Sequence, residues 1–377
     1  MESDNKLFLL DAYALIYRAY YAFIKNPRIN SKGFNTSAIL GFVNTLEEVL
    51  KKENPTHIGV AFDPAGPTFR HEAFEQYKAQ REETPEAIRL SVPIIKEIIR
   101  AYRIPILEVA GYEADDVIGT LATEAGRQGI ITYMMTPDKD YGQLVSDKVF
   151  MYRPKHTGGF EVMGVDEVKA KFDIQSPAQV IDMLGLMGDS SDNIPGCPGV
   201  GEKTAQKLIA EFGSIENLLE HTDQLKGALK TKVETNREMI TFSKFLATIK
   251  IDVPIQLDMD SLVREQADED SLRQIFEELE FRTLIDRVLK KENAGNGITT
   301  PTGNKTAAEK SNLAPLPLFP EEGGAVQGDL FANFTGNEPG EAKNSNLATL
   351  ETLNCDYQLI DTEEKRTKII QKLLTSK

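Results

Sequence analysis

The chain has 377 residues, 41% hydrophobic and 27% charged, the balance of a soluble globular protein with room for two domains, or one domain plus appendages. No apolar run approaches the roughly 20 residues of a membrane helix, and the start, Met1-Glu2-Ser3-Asp4-Asn5-Lys6, lacks the basic opening of a signal peptide. A net charge of −15 argues against indiscriminate polyanion binding, and Cys197 and Cys355 fit neither a zinc nor a disulfide spacing, so a reducing cytoplasm is the expected setting.

The acidity is uneven, since the first 110 residues carry 14 Lys/Arg against 14 Asp/Glu. Residues 6–11 are a short apolar run ending on Asp11, the pattern of a buried parallel strand. Residues 14–23 read as a helix with a tyrosine stripe that includes Tyr17, and residues 35–50 as a second helix. Residues 57–63 repeat the first pattern, an apolar strand ending on Asp63. From 69 to 96 the chain interleaves Arg70, Lys78, Arg81 and Arg89 with Phe69, Phe74 and Tyr77, and Pro85 breaks it into two helices or an arch. Bases among aromatics are what a single-stranded nucleic-acid contact requires, and equally what a solvated amphipathic helix contains, with its acids at Glu72, Glu75, Glu82, Glu83 and Glu86.

A short strand over 106–110 leads into Gly111-Tyr-Glu-Ala-Asp-Asp-Val-Ile-Gly119. Acids in a first helical turn favour the macrodipole. Three of them, Glu113, Asp115 and Asp116, repel one another unless cations sit between them. Residues 129–136 form another apolar run, followed by Asp138 and Asp140. Strands alternating with helices to about residue 150 predict a parallel α/β sheet, whose ligands bind beyond the carboxyl ends of the strands. Asp11, Asp63, Asp138 and Asp140 all fall at that edge, beside the acidic helix start. An all-oxygen site of this kind suits Mg²⁺ or Mn²⁺.

Asp189 and Asp192 add a further acidic pair, and Gly196, Gly199 and Gly201 precede Lys203 and Thr204 in a hairpin between two helices. Backbone N–H groups at such a helix start can hold a phosphate without reading a base. The segment is not a P-loop, because Glu202 separates the last glycine from Lys203 and no strand precedes it. Residues 215–292 read as mainly helical, ending near Leu284 and Val288. The composition then turns to that of a disordered linker, with Phe319, Leu330, Phe331 and Phe334 scattered in it, before a strand and helix too small to bury a core.

The ordered motifs LLDAYALIYRAYYA, FDPAGPTFRHEAFEQYKAQRE, GYEADDVIGTLA, TPDKDYGQLV and GDSSDNIPGCPGVGEKTA resemble the 5′-nuclease domain of bacterial DNA polymerase I, in the flap endonuclease superfamily, over about residues 5–290. The resemblance implies a parallel-sheet, PIN-like α/β core over 1–175 with an arch over 69–96, a helix-hairpin-helix subdomain over 176–292, a flexible linker over 293–350, and the start of a 3′–5′ exonuclease-like domain over 351–377. Polymerase activity is not implied. It assigns Asp11, Asp63, Glu113, Asp115 and Asp116 to one metal cluster, and Asp138, Asp140, Asp189 and Asp192 to a second. Lys78 and Arg81 match its phosphate clamp, with Arg70 nearby on the DNA, and the glycine hairpin matches an element that holds duplex DNA and a K⁺ ion. Tyr141 stands where the family often has Leu, a departure expected to leave the ligands unaffected.

The implied activity is hydrolysis of DNA phosphodiesters at a 5′ flap, nick or recessed 5′ end, RNA primers included, in primer removal and repair. Two Mg²⁺ ions would activate water and stabilise the leaving oxygen, Lys78, Arg81 and Asp116 being the catalytic residues, and Tyr17, Phe74 or Tyr77 would stack a terminal base. The expected protein is a bacterial cytoplasmic monomer with no membrane partner, joined to further polymerase domains. A non-catalytic DNA-junction binding module and an acidic-site ribonuclease are the competing readings.

Overall fold

Leu7, Phe8, Leu9 and Leu10 have no exposed surface, which is why four apolar residues stand in a row where a half-exposed strand would alternate. They belong to strand β1 (Lys6–Asp11). A computed structural model of the chain describes residues 5–155 and 158–289. The expected linker, the start of a further domain, and Phe319, Leu330, Phe331 and Phe334 lie outside the described residues.

On one side of β1 lie β2 (His57–Ala61) and β3 (Ile106–Leu107), and on the other β4 (Ile131–Met135) and β5 (Val149–Pro154), all parallel. β6 (Phe160–Met163) pairs antiparallel with β5 and completes a six-stranded sheet in the order β3-β2-β1-β4-β5-β6. The register sets Asp11 opposite Ala61, and Leu10 opposite Met135. Asp11, Asp63 and Thr136 therefore leave the sheet side by side at its carboxyl edge. This is the expected parallel α/β sheet, with a β5–β6 pair that the sequence did not announce.

Alternate residues of β1 feed two core layers. Phe8 and Leu10 pack with helices α1 (Ala12–Ala22) and α2 (Ser37–Lys52). The segment expected to arch splits into α3 (Phe69–Ala73), a turn, and α4 (Glu86–Ala101), which starts directly after Pro85 and joins the same layer. Leu7 and Leu9 pack instead with α5 (Ala114–Arg127), and beyond α6 (Val165–Phe172) with α7 (Gln179–Met187) and α8 (Glu202–Phe212).

Helices Ile215–Glu220, Gly227–Thr235 and Arg237–Ala247 extend the helical region. Helices Glu269–Glu278 and Arg282–Leu289 do not stay with it. Their Leu272, Phe276 and Leu284 enter the layer of Phe8 and Leu10. No described helix is long and apolar enough to cross a membrane.

Candidate metal centre

The acids at the carboxyl edge are tied together by short polar links. Asp11 caps α1 by accepting from the Ala14 N–H at 3.1 Å. Asp63, just past β2, accepts from the Ala114 N–H at 2.7 Å and so joins the start of α5. Glu113, Asp115 and Asp116 can each direct one oxygen to within 4.8 Å of the others. Tyr77 Oη lies 3.0 Å from Glu113 and 3.1 Å from Asp192, joining this cluster to the pair Asp189 and Asp192. Asp138 precedes and Asp140 lies within the 3₁₀ turn Lys139–Leu144, whose Lys139 reaches Asp189 at 3.2 Å.

Burial, then the neighbouring Asp63, pushes the Asp11 carboxyl up to about 7. Burial likewise raises Asp63 and Asp138. Asp115 lies well above the carboxylate range through burial and the charge of Asp116, and Asp140 through burial and the charge of Asp138. Glu113 and Asp192 move the other way, because Lys78 with Arg70, and Lys78 with Arg81, outweigh the effect of burial. Among the described residues Asp140 Oδ1 is buried with no hydrogen-bond partner. An orphaned buried oxygen and carboxylates forced upward are what a hard divalent cation satisfies, and among the described residues Glu113, Asp115 and Asp116 are the group close enough to share one.

Residues 6–173 match the family model described as 5′–3′ exonuclease, N-terminal resolvase-like domain, and residues 175–270 match 5′–3′ exonuclease, C-terminal SAM fold. The chain belongs to the 5′–3′ exonuclease family. Among curated relatives, DNA polymerase I of Bacillus caldotenax is 42% identical over 287 residues, covering 75% of this chain and 32% of its own length. DNA polymerase I of Bacillus subtilis is 43% identical over 291 residues, covering 76% and 33%. The chain thus spans about a third of the relatives it matches. A bacteriophage T5 5′-exonuclease with bound zinc superposes with a TM-score of 0.55 at 21% identity, covering 74% of this chain and 99% of that one. The catalytic core of Rad2 in complex with DNA gives 0.52 at 19% identity, over 75% and 93%. At such identities these two likenesses establish the PIN-like nuclease fold.

Two residues of this 5′–3′ exonuclease have surroundings unlike those expected. Arg70, expected on the DNA, is 1% exposed. Its guanidinium reaches both oxygens of Asp116 at 2.8 Å, Glu113 at 2.9 Å, and the carbonyls of Leu246 and Thr248. Asp116, expected as a metal ligand, also accepts from the N–H groups of Glu113 and Lys250. With its roughly four acceptor sites filled and no exposure, Asp116 is bound to Arg70, and it also belongs to the trio with Glu113 and Asp115 whose oxygens could share an ion.

Lys78 and Arg81 do face the acids. Lys78 Nζ lies 2.6 Å from Glu113 and 3.6 Å from Asp192, and Arg81 reaches Asp192 at 2.5 Å. Lys78 holds a left-handed φ of 56°, fixed by its N–H donating to the Asp192 carbonyl at 3.0 Å. Of the stacking candidates, Tyr77 is buried with its hydroxyl committed to the acids, Phe74 packs edge-on against Phe242, and Tyr17 is half-buried and bonded to Thr84.

At the hairpin, Gly196 cannot offer its N–H to phosphate, since that group donates to Ser243 Oγ. Its role is close packing, because a Cβ there would come within 2.3 Å of the Gly188 nitrogen. Gly199, Gly201 and Lys203 are exposed and Thr204 half-buried at the start of α8. Lys232, which the sequence reading missed, donates to the Gly199 carbonyl at 3.2 Å. Tyr141, expected to leave the ligands unaffected, directs its hydroxyl onto Asp11.

Proposed function

We propose that this 5′–3′ exonuclease is a divalent-metal-dependent 5′ nuclease that cuts DNA phosphodiesters at 5′ flaps, nicks and recessed 5′ ends, RNA primer–DNA included. It would act as the nuclease portion of a bacterial DNA polymerase I in primer removal and repair, as a monomer in the cytoplasm. The observation that carries this reading is the convergence of buried and half-buried carboxylates at one sheet edge, with Lys78 and Arg81 set directly against them. Asp11, Asp63, Glu113 and Asp115 would hold one ion, and Asp138, Asp140, Asp189 and Asp192 another. When bound, two Mg²⁺ ions, or Mn²⁺ in their place, supply a water of lowered pKa and counter-charge for the leaving oxygen.

The chain's own residues supply the rest. Lys78 and Arg81 turn from the acids to the scissile phosphate and offset its charge in the transition state. Exposed Gly199, Gly201, Lys203 and Thr204 hold the duplex backbone at the start of α8, without reading sequence, and with K⁺ at the hairpin. Half-buried Tyr17 or Phe74 stacks the terminal base.

The test is cleavage of a 5′-labelled flap duplex with Mg²⁺ by the wild-type chain and by Asp115→Ala, with EDTA as control. Short 5′ products that require Mg²⁺ and vanish in the variant are expected. Binding of the flap without cutting by the wild-type chain would overturn the nuclease reading in favour of a junction-binding module.

A further inference from the structure

Tyr141 has no exposed surface, yet it places a polar group at the candidate metal centre. Its hydroxyl donates to Asp11 Oδ2 at 3.1 Å. Thr136, also fully buried, donates to the same oxygen at 3.2 Å. A carboxylate oxygen offers about two acceptor directions, so these two hydroxyls fill Oδ2. Among the described residues Asp11 Oδ1 receives only the Ala14 N–H, which leaves one direction on that oxygen for a cation. Tyr141 also lies one residue after Asp140 in the 3₁₀ turn. One phenol therefore ties the strand-end acid Asp11 to the turn that Asp138 caps and Asp140 lies in.

We propose that Tyr141 is a positioning residue that fixes Asp11 so that Oδ1 alone is presented to a divalent cation, and that sets Asp11 against the Asp138–Asp140 turn. The inference rests on the metal-centre reading above. A Phe at 141 would keep the buried ring and leave Asp11 held on Oδ2 by Thr136 alone. Its carboxylate would then turn more freely, and ordering it on ion binding would weaken the affinity. Outer-shell partners of metal ligands contribute in this way, by orienting the group that coordinates.

The experiment is a Mn²⁺ titration of the full chain, following free Mn²⁺ by electron paramagnetic resonance at one fixed pH. Wild type is compared with Tyr141→Phe, Tyr141→Leu and Tyr152→Phe. Tyr152 donates to Glu53 at 2.9 Å away from the acids, so its variant loses the same type of bond elsewhere. Affinity about tenfold weaker in both Tyr141 variants, the low end for a lost outer-shell partner, and unchanged in Tyr152→Phe, is the expected result. Metal-free melting temperatures establish that each variant is folded, and Tyr141→Leu carries the comparison if Tyr141→Phe does not fold. Wild-type affinity in the folded Tyr141 variants, or tighter binding, overturns the positioning role while leaving the metal centre intact. Absence of saturable Mn²⁺ binding in the wild-type chain would instead overturn the metal centre itself, and this inference with it.

Discussion

Arg70 grips Asp116 through two parallel contacts of 2.8 Å in a region that neither side chain shares with solvent. The pair lies where α3, the start of α5 and the end of helix Arg237–Ala247 with the chain after it meet, since Arg70 also bonds the Leu246 and Thr248 carbonyls and Asp116 the Lys250 N–H. The acidic cluster thus contains a permanent cation of its own. Arg70 neutralises Asp116 and part of Glu113, and reaches Asp115 only at 3.9 Å.

Arg70→Ala should therefore be a stability variant. It leaves the Asp116 carboxylate buried with only its two backbone N–H partners and no counter-charge, at a cost of about 3–5 kcal/mol. Arg70→Lys should recover only part of this, because an ammonium cannot make the bidentate contact or serve the two carbonyls. Thermal or denaturant unfolding measures both. A wild-type midpoint for Arg70→Ala would place the guanidinium at the surface, contrary to its burial.

Asp115 and Asp116 are neighbours in sequence with opposite expected phenotypes. Asp115→Ala removes a carboxylate that burial and Asp116 hold well above its ordinary range, so the metal-free protein should be as stable as wild type or more so, while Mn²⁺ affinity falls. Asp116→Ala should lower the melting temperature by leaving Arg70 unpaired, with any loss of cleavage following from that. Calorimetric unfolding alongside Mn²⁺ binding separates the two. Equal destabilisation by both substitutions would show that the acids share one role.

Stability of the metal-free protein should fall as pH rises from about 4 to 7. Asp11 titrates at about 7 when folded against an ordinary 3.8, and Asp115, Asp138 and Asp140 are raised in the same direction. In that window the folded state keeps protons that the unfolded chain has released, which makes the slope negative. For Asp11 alone this is on the order of a few kcal/mol. Glu113 and Asp192, shifted downward, give a slope of the opposite sign, but only below the ordinary carboxylate range. Melting in EDTA should be higher near pH 5 than near pH 8, and excess Mg²⁺ at the higher pH should restore it. A melting temperature that rises over this interval in EDTA would remove the case for the acids as an uncompensated cluster.

The strands that carry the site were legible because burial on both faces leaves a plain record. Past their first residues, Lys6 and His57, the runs of β1 and β2 carry no polar side chain until they stop at Asp11 and just before Asp63. Strand β5 carries Tyr152, Arg153 and Pro154, and β6 has only four residues, so neither forms such a run. Arg70 was misplaced for a different reason. Helical spacing shows which face of a helix is polar, but α3 has only five residues, and nothing local distinguishes a guanidinium turned inward from one in water. The available signal was electrostatic, because three acids in one turn require a counter-charge. Tyr141 was hidden in the same way, since a buried aromatic reads as core whether or not its hydroxyl reaches a carboxylate.

The last prediction concerns Lys78, whose ammonium lies between Glu113 at 2.6 Å and Asp192 at 3.6 Å. The two acids hold it well above its ordinary range despite burial, so it stays charged at any working pH and cannot serve as a base. Its available role is electrostatic, at a phosphate approaching the same acids. Lys78→Met keeps most of the side-chain volume and removes the charge, and should slow single-turnover cleavage of a flap duplex by about a hundredfold or more, the usual effect of losing one charge-stabilising donor. Arg81→Met, which loses a more exposed partner of Asp192, should act in the same direction. Flap affinity measured in Ca²⁺ should change much less, because the hairpin at α8 and the rest of the surface still hold the duplex. An equal loss in affinity and in rate would make Lys78 a ground-state contact with the DNA, and a wild-type rate would leave the arch with no part in the chemical step.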